Sequence, residues 1–291
     1  MTDFAATKAM FHLPDGMTYL DGNSLGPLPR SVPARVGHTL ADEWGEMVIT
    51  GWNRAGWIDQ PKRLGDAIGR LIGAEPGSVV VGDTLSIKVF QALAAALAMT
   101  DRKVILSDSG NFPSDLYMAQ GLVGALGGAE LRVVDPEEVA GALSDEIGVL
   151  MLTEVDYRTG RRHDMAALTA QAHELGIVTL WDLAHSAGAF PVDLAGCRAD
   201  FAVGCTYKYL NGGPGAPAFI YVAPRHAETA TPILAGWLGH ASPFAFEPDY
   251  RPGAGIDRMR VGTPPIIPAP GRRSRSGRTS TWMRCGRPRS R

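Results

Sequence analysis

Apolar positions along the chain fall in short runs separated by polar, glycine- and proline-containing stretches, and the period of the pattern changes from run to run. Val79-Val80-Val81, Val104-Ile105-Leu106, Leu131-Arg132-Val133-Val134, Gly148-Val149-Leu150-Met151-Leu152, Val178-Thr179-Leu180-Trp181-Asp182, Phe201-Ala202-Val203-Gly204-Cys205 and Ala218-Phe219-Ile220-Tyr221-Val222 are short and rich in β-favouring residues, as buried strands are. Between them the spacing becomes helical. Ile87, Phe90, Leu93, Ala94 and Leu97 mark one face of a helix, and helical stretches are predicted from Leu116 to about Leu126 and from Met165 to Leu175. Strand and helix signals that alternate in this way predict an α/β fold built on a mostly parallel sheet. No internal repeat breaks the pattern.

Composition narrows the class. A chain of 291 residues that is 45% hydrophobic can bury a large core, in one large domain or two. The expected organisation is an N-terminal segment over residues 1–50, a large domain over 51–265 and an arginine-rich tail over 266–291. Charge is unevenly spread. Of the 28 basic residues, 8 are arginines between Gly271 and Arg291, which leaves 20 against 30 acidic ones over residues 1–270, a formal charge of −10. A tail of Arg, Ser, Gly and Pro with no hydrophobic period is predicted to be disordered. The acidic body disfavours a nucleic-acid partner, and the tail has one aromatic residue, Trp282. The N-terminus has no apolar signal region, and the longest apolar stretch, Phe90 to Met99, is too short for a bilayer. A soluble cytoplasmic protein with no membrane partner is therefore expected. Cys197, Cys205 and Cys285 are scattered with no C-x-x-C pair, so neither a disulfide framework nor a metal site is expected, and Cys205 reads as buried and inert.

Candidate chemistry concentrates near the ends of the predicted strands. Lys208 follows the run Phe201–Cys205 and precedes the turn Gly212-Gly213-Pro214-Gly215, where a Schiff-base lysine would sit. Taken alone it is an ordinary loop cation; partial desolvation would instead favour the free amine, a nucleophile toward an aldehyde. Asp182 ends another buried run, and open α/β sheets bind ligands at the carboxyl ends of their strands. It reads either as a helix cap or as the partner of a protonated pyridine nitrogen, and His185, three residues on, either as a satisfied loop histidine or as a neighbour of the same ring. Upstream, the run Val79–Val81 leads through Thr84 and Ser86 into a predicted helix. Those hydroxyls either cap the helix or join its amides in an anion site.

Five longer segments carry a resemblance. Tyr19-Leu20-Asp21-Gly22-Asn23-Ser24-Leu25-Gly26, Asn111-Phe112-Pro113-Ser114-Asp115, Trp181 to Gly188, Gly204 to Gly215 and Gly236-Trp237-Leu238-Gly239-His240 occur in order between Tyr19 and about Pro265. In these the chain resembles the kynureninase family, pyridoxal 5'-phosphate enzymes of the aspartate-aminotransferase fold type. The resemblance implies a three-layer αβα fold and hydrolysis of L-kynurenine, and of 3-hydroxykynurenine as a second substrate, to give L-alanine with anthranilate from L-kynurenine. It implies that Lys208 carries the cofactor and moves protons, that Asp182 pairs with the pyridine nitrogen, and that Tyr207 reaches the phosphate and relays a proton. Thr84 and Leu85 would hold the phosphate, Phe112 would stack on the ring, and Pro113, Ser114, Asp115, Thr153 and His185 would complete the cofactor shell. Pro113 and Asp115 also suit a helix start. Trp237 and Thr263 would reach across a homodimer interface. Trp52 reads either as a wall against the aromatic ring of the substrate or as a core or interface tryptophan.

After Thr263 the chain departs from the family pattern. The resemblance implies a further small C-terminal domain, with an arginine for the substrate α-carboxylate, and the sequence has no matching position for it. A truncated or frame-changed C-terminus is the expectation. Two alternatives stand beside kynureninase, namely another enzyme of the same fold type such as a cysteine desulfurase, and an inactive remnant.

Overall fold

The computed structural model describes residues 3–267, and residues 268–291 of the arginine-rich tail lie outside the described residues. Its centre is a seven-stranded sheet formed by β1 (Val79–Val81), β2 (Val104–Asp108), β3 (Glu130–Val134), β4 (Ile147–Thr153), β5 (Val178–Asp182), β6 (Phe201–Cys205) and β7 (Ala218–Val222). The spatial order is β1-β7-β6-β5-β4-β2-β3. β7 runs antiparallel to both of its neighbours, so the other six strands all point one way.

Runs of consecutive apolar residues form these strands because both sheet faces are covered. Every residue of β4, β6 and β7 is buried. Alternate residues serve opposite faces. Leu150, Leu152, Trp181, Ala202 and Phe219 pack with Ile68, Ile72 and Leu168, from and beside helices α1 (Gln60–Gly69) and α4 (Met165–Glu174). Val149, Met151, Leu180, Val203 and Ile220 pack with Leu93, Ala119 and Leu122 of α2 (Leu85–Leu97) and α3 (Pro113–Leu126). Two cores separated by one sheet make the three layers. At the sheet edge, β3 is only half covered, and Arg132 there pairs with Glu130 and Glu146.

One expectation is corrected. The spacing of Ile87, Phe90, Leu93, Ala94 and Leu97 marks a single apolar face, but α2 is buried nearly all round from Lys88 onward while Ile87 is exposed. The helix lies between the sheet and α3, so its small alanines are needed on every side for close approach. Among the described residues no helix is long and apolar enough to cross a membrane.

Candidate active site

Because six strands share one direction, the loops that follow β1, β2, β4, β5 and β6 gather at one edge of the sheet. The ladder places Thr153, Asp182 and Val203 side by side. Thr153 is buried, with its hydroxyl donating to the Val155 carbonyl at 3.3 Å.

The lysine loop is closed by its own hydrogen bonds. The Thr206 hydroxyl donates to the Pro217 carbonyl at 2.5 Å, Gly212 N–H to the Thr206 carbonyl at 2.8 Å, and Asn211 N–H to the Lys208 carbonyl at 2.9 Å. Asn211 takes a left-handed φ of 56°, which asparagine tolerates better than most side chains. The N-terminal segment seals the loop from outside. Gly26 N–H donates to the Tyr207 carbonyl at 2.9 Å, and a Cβ at Gly26 would lie 2.2 Å from the Lys208 carbonyl oxygen. No side chain fits there.

Lys208 is buried, at 7% exposure, with its Nζ 2.7 Å from Nε2 of His185. Burial, and then the charge of Lys208, push the imidazole of His185 down to about 4, so it is neutral at physiological pH and accepts from the amine. The amine also sits 5.6 Å from the ring centres of Phe112 and Tyr207. Burial, and then Cys205 and Asp182, push the Tyr207 phenol up to about 12, keeping it protonated.

Two carboxyls lie behind the lysine. Asp182 is 3% exposed; its Oδ1 accepts the Ala184 N–H at 2.8 Å, while Oδ2 is buried without a partner. Burial raises its carboxyl to about 6, against the Ala184 N–H and the charge of Lys208. Asp115, in the first turn of α3, also has a buried Oδ2 without a partner, and burial followed by the nearness of Asp182 raises it well above the carboxylate range. The two groups face each other so that a protonated Asp115 can donate to Asp182, and beyond each other neither Oδ2 has a protein donor. A buried carboxylate oxygen left open is costly, and a ligand N–H directed at the pair would relieve it.

Phe112 and Pro113 open α3, Pro113 at its first position and Phe112 as its extended cap, and Ser114 lies half-buried beside Asp115. Asn111 holds Phe112 in place. Its Oδ1 accepts the Phe112 N–H at 2.7 Å and its Nδ2 donates to Ser107 Oγ at 3.1 Å. At the end of β1, Thr84 caps α2, its hydroxyl accepting the Ile87 N–H at 3.5 Å, and Leu85 begins the helix. Asp83, with φ 54°, turns the chain there, and its carbonyl accepts from Ala218 N–H at 3.0 Å, which ties the turn to the start of β7 beside Cys205. The free amides of that helix terminus thus open at the edge of the sheet that carries Lys208.

A second buried lysine makes a useful contrast. Lys88 Nζ lies 2.9 Å from Gln91 Oε1, from the Met259 carbonyl and from Asp83 Oδ2, which uses all three of its donors in holding α2 to the 255–259 turn. Lys208 has no such set.

Lys208, Asp182, Asp115, His185, Tyr207, Phe112 and Thr153 come together. Trp52, Trp237 and Thr263 make their described contacts elsewhere. Trp52 meets Trp57 edge-on at 5.9 Å, and Trp57 in turn donates to Glu43 at 2.9 Å. Trp237 meets Phe244 at 5.9 Å, and Thr263 lines a small cavity with Gly82, Asp83 and Lys88. Tyr157, which none of the sequence expectations covers, joins the cluster, 5.0 Å from Phe112 and offset-stacked on His185 at 6.2 Å. Its position four residues beyond Thr153, past the carboxyl end of a buried strand, was the available signal.

Comparison with known proteins adds to this geometry. Residues 68–272 match the Aminotransferase class-V family. A kynureninase of Deinococcus radiodurans is 54% identical over 268 residues, covering 90% of this chain and 65% of that protein. A kynureninase of Burkholderia pseudomallei is 51% identical over 270 residues with the same coverage, so the chain spans about two thirds of the length of these curated relatives. Among solved structures, a cysteine desulfurase from Escherichia coli superposes with a TM-score of 0.77 at 18% identity, covering 93% of this chain and 70% of that one. That last likeness concerns the fold alone.

Proposed function

Because the chain belongs to the aminotransferase class-V family, we propose that it binds pyridoxal 5'-phosphate and hydrolyses L-kynurenine to anthranilate and L-alanine, with 3-hydroxykynurenine as a second substrate. The observation that carries the reading is Lys208 buried in front of Asp182 and Asp115, whose facing oxygens have no protein donor apart from each other and leave room for one that a protonated pyridine nitrogen would supply. Identity above one half with kynureninases across most of the chain supports the same substrate.

When bound, the cofactor supplies an electron sink for the carbanion at the substrate α-carbon. Lys208 would hold it covalently and, once displaced by the substrate amine, take and return protons, with His185 Nε2 as its hydrogen-bond partner. Asp182 would keep the ring nitrogen protonated, and the raised Asp115 would stand next to it as a neutral acid. Phe112 would lie against the ring; Thr84 and Leu85 would hold the phosphate through the helix terminus; Pro113, Ser114 and Thr153 would complete the shell. Water would add to the γ-carbonyl carbon and the Cβ–Cγ bond would break, with Tyr207, protonated over the physiological range, as donor or relay. Trp52 is proposed as a wall for the substrate ring. Trp237 and Thr263 are proposed to serve the site of a second copy, in a cytoplasmic homodimer.

A cysteine desulfurase reading requires a reactive thiolate. Cys205 is buried, and burial pushes its thiol up to about 11, while burial also raises Cys197. Among the described residues, therefore, no cysteine suits that role; Cys285 lies outside them. Addition of the cofactor to the protein, followed by its visible spectrum and then by anthranilate fluorescence on adding kynurenine, tests the proposal. No change in the spectrum sinks the cofactor reading; a bound cofactor without anthranilate sinks the hydrolase and favours an inactive remnant.

A further inference from the structure

We propose that Tyr157 is a specificity-determining residue of this site, its ring forming one wall, beside the one proposed for Trp52, against the aryl group of the substrate, an inference that rests on the kynurenine reading above. Tyr157 is carried by the loop after β4, and that loop is built as a stiff hairpin. Val155 and Arg162 form a bridge, Asp156 N–H donates to the Arg161 carbonyl at 2.9 Å, and Gly160 N–H donates to the Asp156 carbonyl at 2.9 Å.

The hairpin is also pinned to its neighbour. His163 Nε2 lies 2.6 Å from Asp108 Oδ2, with both side chains buried, and Arg158 Nη2 donates to the Ser109 carbonyl at 3.0 Å. Asp108 and Ser109 belong to the strand end and loop that also carry Phe112. The anchors therefore set the position of Tyr157 relative to Phe112, and their rings meet edge-on at 5.0 Å with an interplanar angle of 71°. Tyr157 is also offset-stacked on His185 at 26°, one ring away from the amine of Lys208.

This wall is left open to solvent. Tyr157 is 38% exposed and Phe112 36%, while the groups behind them, Asp182, Asp115, His185 and Lys208, are all buried. The Tyr157 ring stacks on His185 and carries the Arg158 guanidinium over it at 5.5 Å, and the part of it that stays exposed adjoins Phe112 at the entrance to a charged site. Among the described residues no hydrogen bond engages the Tyr157 phenol, which leaves it available to the amine of an aminophenyl group.

The test compares Tyr157→Phe and Tyr157→Ala with the wild type, each loaded with cofactor. Anthranilate binding is read from its own fluorescence, and binding of L-alanine, which has no aryl group, from the cofactor absorbance. Tyr157→Ala is expected to weaken anthranilate by roughly ten-fold or more while changing cofactor and L-alanine affinity by less than about two-fold; Tyr157→Phe, which keeps the ring, should lose no more than about three-fold. If Tyr157→Ala does not fold, Tyr157→Leu takes its place. An unchanged anthranilate affinity overturns the inference, and so does a parallel loss of cofactor, which would make Tyr157 part of the cofactor shell. Wild-type protein that neither binds anthranilate nor cleaves kynurenine overturns the proposed function itself. Wild-type binding with indifferent variants overturns the role of Tyr157 alone.

Discussion

Asp200 and Asp182 stand at opposite ends of neighbouring strands, both almost fully buried, and their surroundings could hardly differ more. Asp200, just before β6, accepts from Thr179 N–H and Thr179 Oγ1 at 2.8 Å, from His173 at 2.8 Å, from His226 at 2.7 Å and from Arg225 at 2.5 Å. Burial would raise its carboxyl, but the histidines and the Thr179 N–H overcome that and hold it well below the usual range. Asp182, at the end of β5, has one backbone donor and an open oxygen, and burial prevails. A buried carboxylate with a full set of donors stabilises the fold; one left short is a place where a ligand completes the structure.

The sharpest way to break this comparison is through the lysine that faces only one of the two aspartates. Lys208→Ala is expected to abolish cofactor attachment. Borohydride reduction, digestion and mass spectrometry should locate the label on Lys208 in the wild type, and label on Lys88 or Lys62 instead would refute the assignment.

Next in size is the hub at the other end of the sheet. Asp200→Asn removes the charge that His173, His226 and Arg225 share, and breaking such a buried network costs about 3–5 kcal/mol. The denaturant midpoint should fall accordingly, with the cofactor spectrum of the surviving folded protein unchanged; a loss under about 1 kcal/mol would mean the hub is ornamental. Its pH dependence has a definite sign. The stabilisation from a depressed carboxyl is present above about pH 4 and is lost as the pH falls toward the native value.

Asp182→Asn should do the reverse. It keeps an acceptor for Ala184 N–H, so stability near pH 4, where the native carboxyl is also neutral, should change little, while turnover falls by roughly 10²–10³ with the loss of the charge held against the ring. Because its native carboxyl is raised to about 6, the folded protein binds the proton more tightly, and stability declines as the pH rises from about 4 to about 6. Denaturation of cofactor-free protein across that window should show the asparagine variant gaining on the order of 2 kcal/mol relative to wild type. Parallel pH profiles would show that the carboxyl is not raised.

The smallest effect belongs to Gly26, which touches the site only through backbone. Gly26→Ala must push the N-terminal segment off the Lys208 carbonyl, at about 1–3 kcal/mol, and cofactor affinity should weaken with it. Unaltered affinity and stability would show that the segment merely rests on the loop.

Much of this was legible in the sequence because it depends on neighbours along the chain. Strand runs such as Val149–Leu152 and Phe201–Val203 are read correctly, since a strand buried on both faces is apolar at every position. Lys208, Asp182 and Thr84 can be singled out one by one because each ends or follows a predicted strand, and such ends meet at one edge of a parallel sheet, whereas Phe112 is singled out by the family resemblance alone. The single face assigned to α2 is wrong for a related reason, as periodicity assumes one covered side and α2 has several. Tyr157, His163 and Asp108 are harder to read, because their meaning lies in contacts between separate loops, Asp108 with His163 and Tyr157 with Phe112 and His185.

By itself, then, the sequence determines the alternation of strands and helices, the acidic body and basic tail, and the residue types presented at the strand ends, since these follow from local pattern and composition. Only the tertiary structure decides which of two equally buried aspartates is satisfied and which is open, and which of two buried lysines has spent its donors. Hydrogen-bond satisfaction is a property of the three-dimensional neighbourhood. Asp200 and Asp182, or Lys88 and Lys208, are the same letters in the sequence and become different chemistry only when β5 and β6, and the loops at their ends, are brought together.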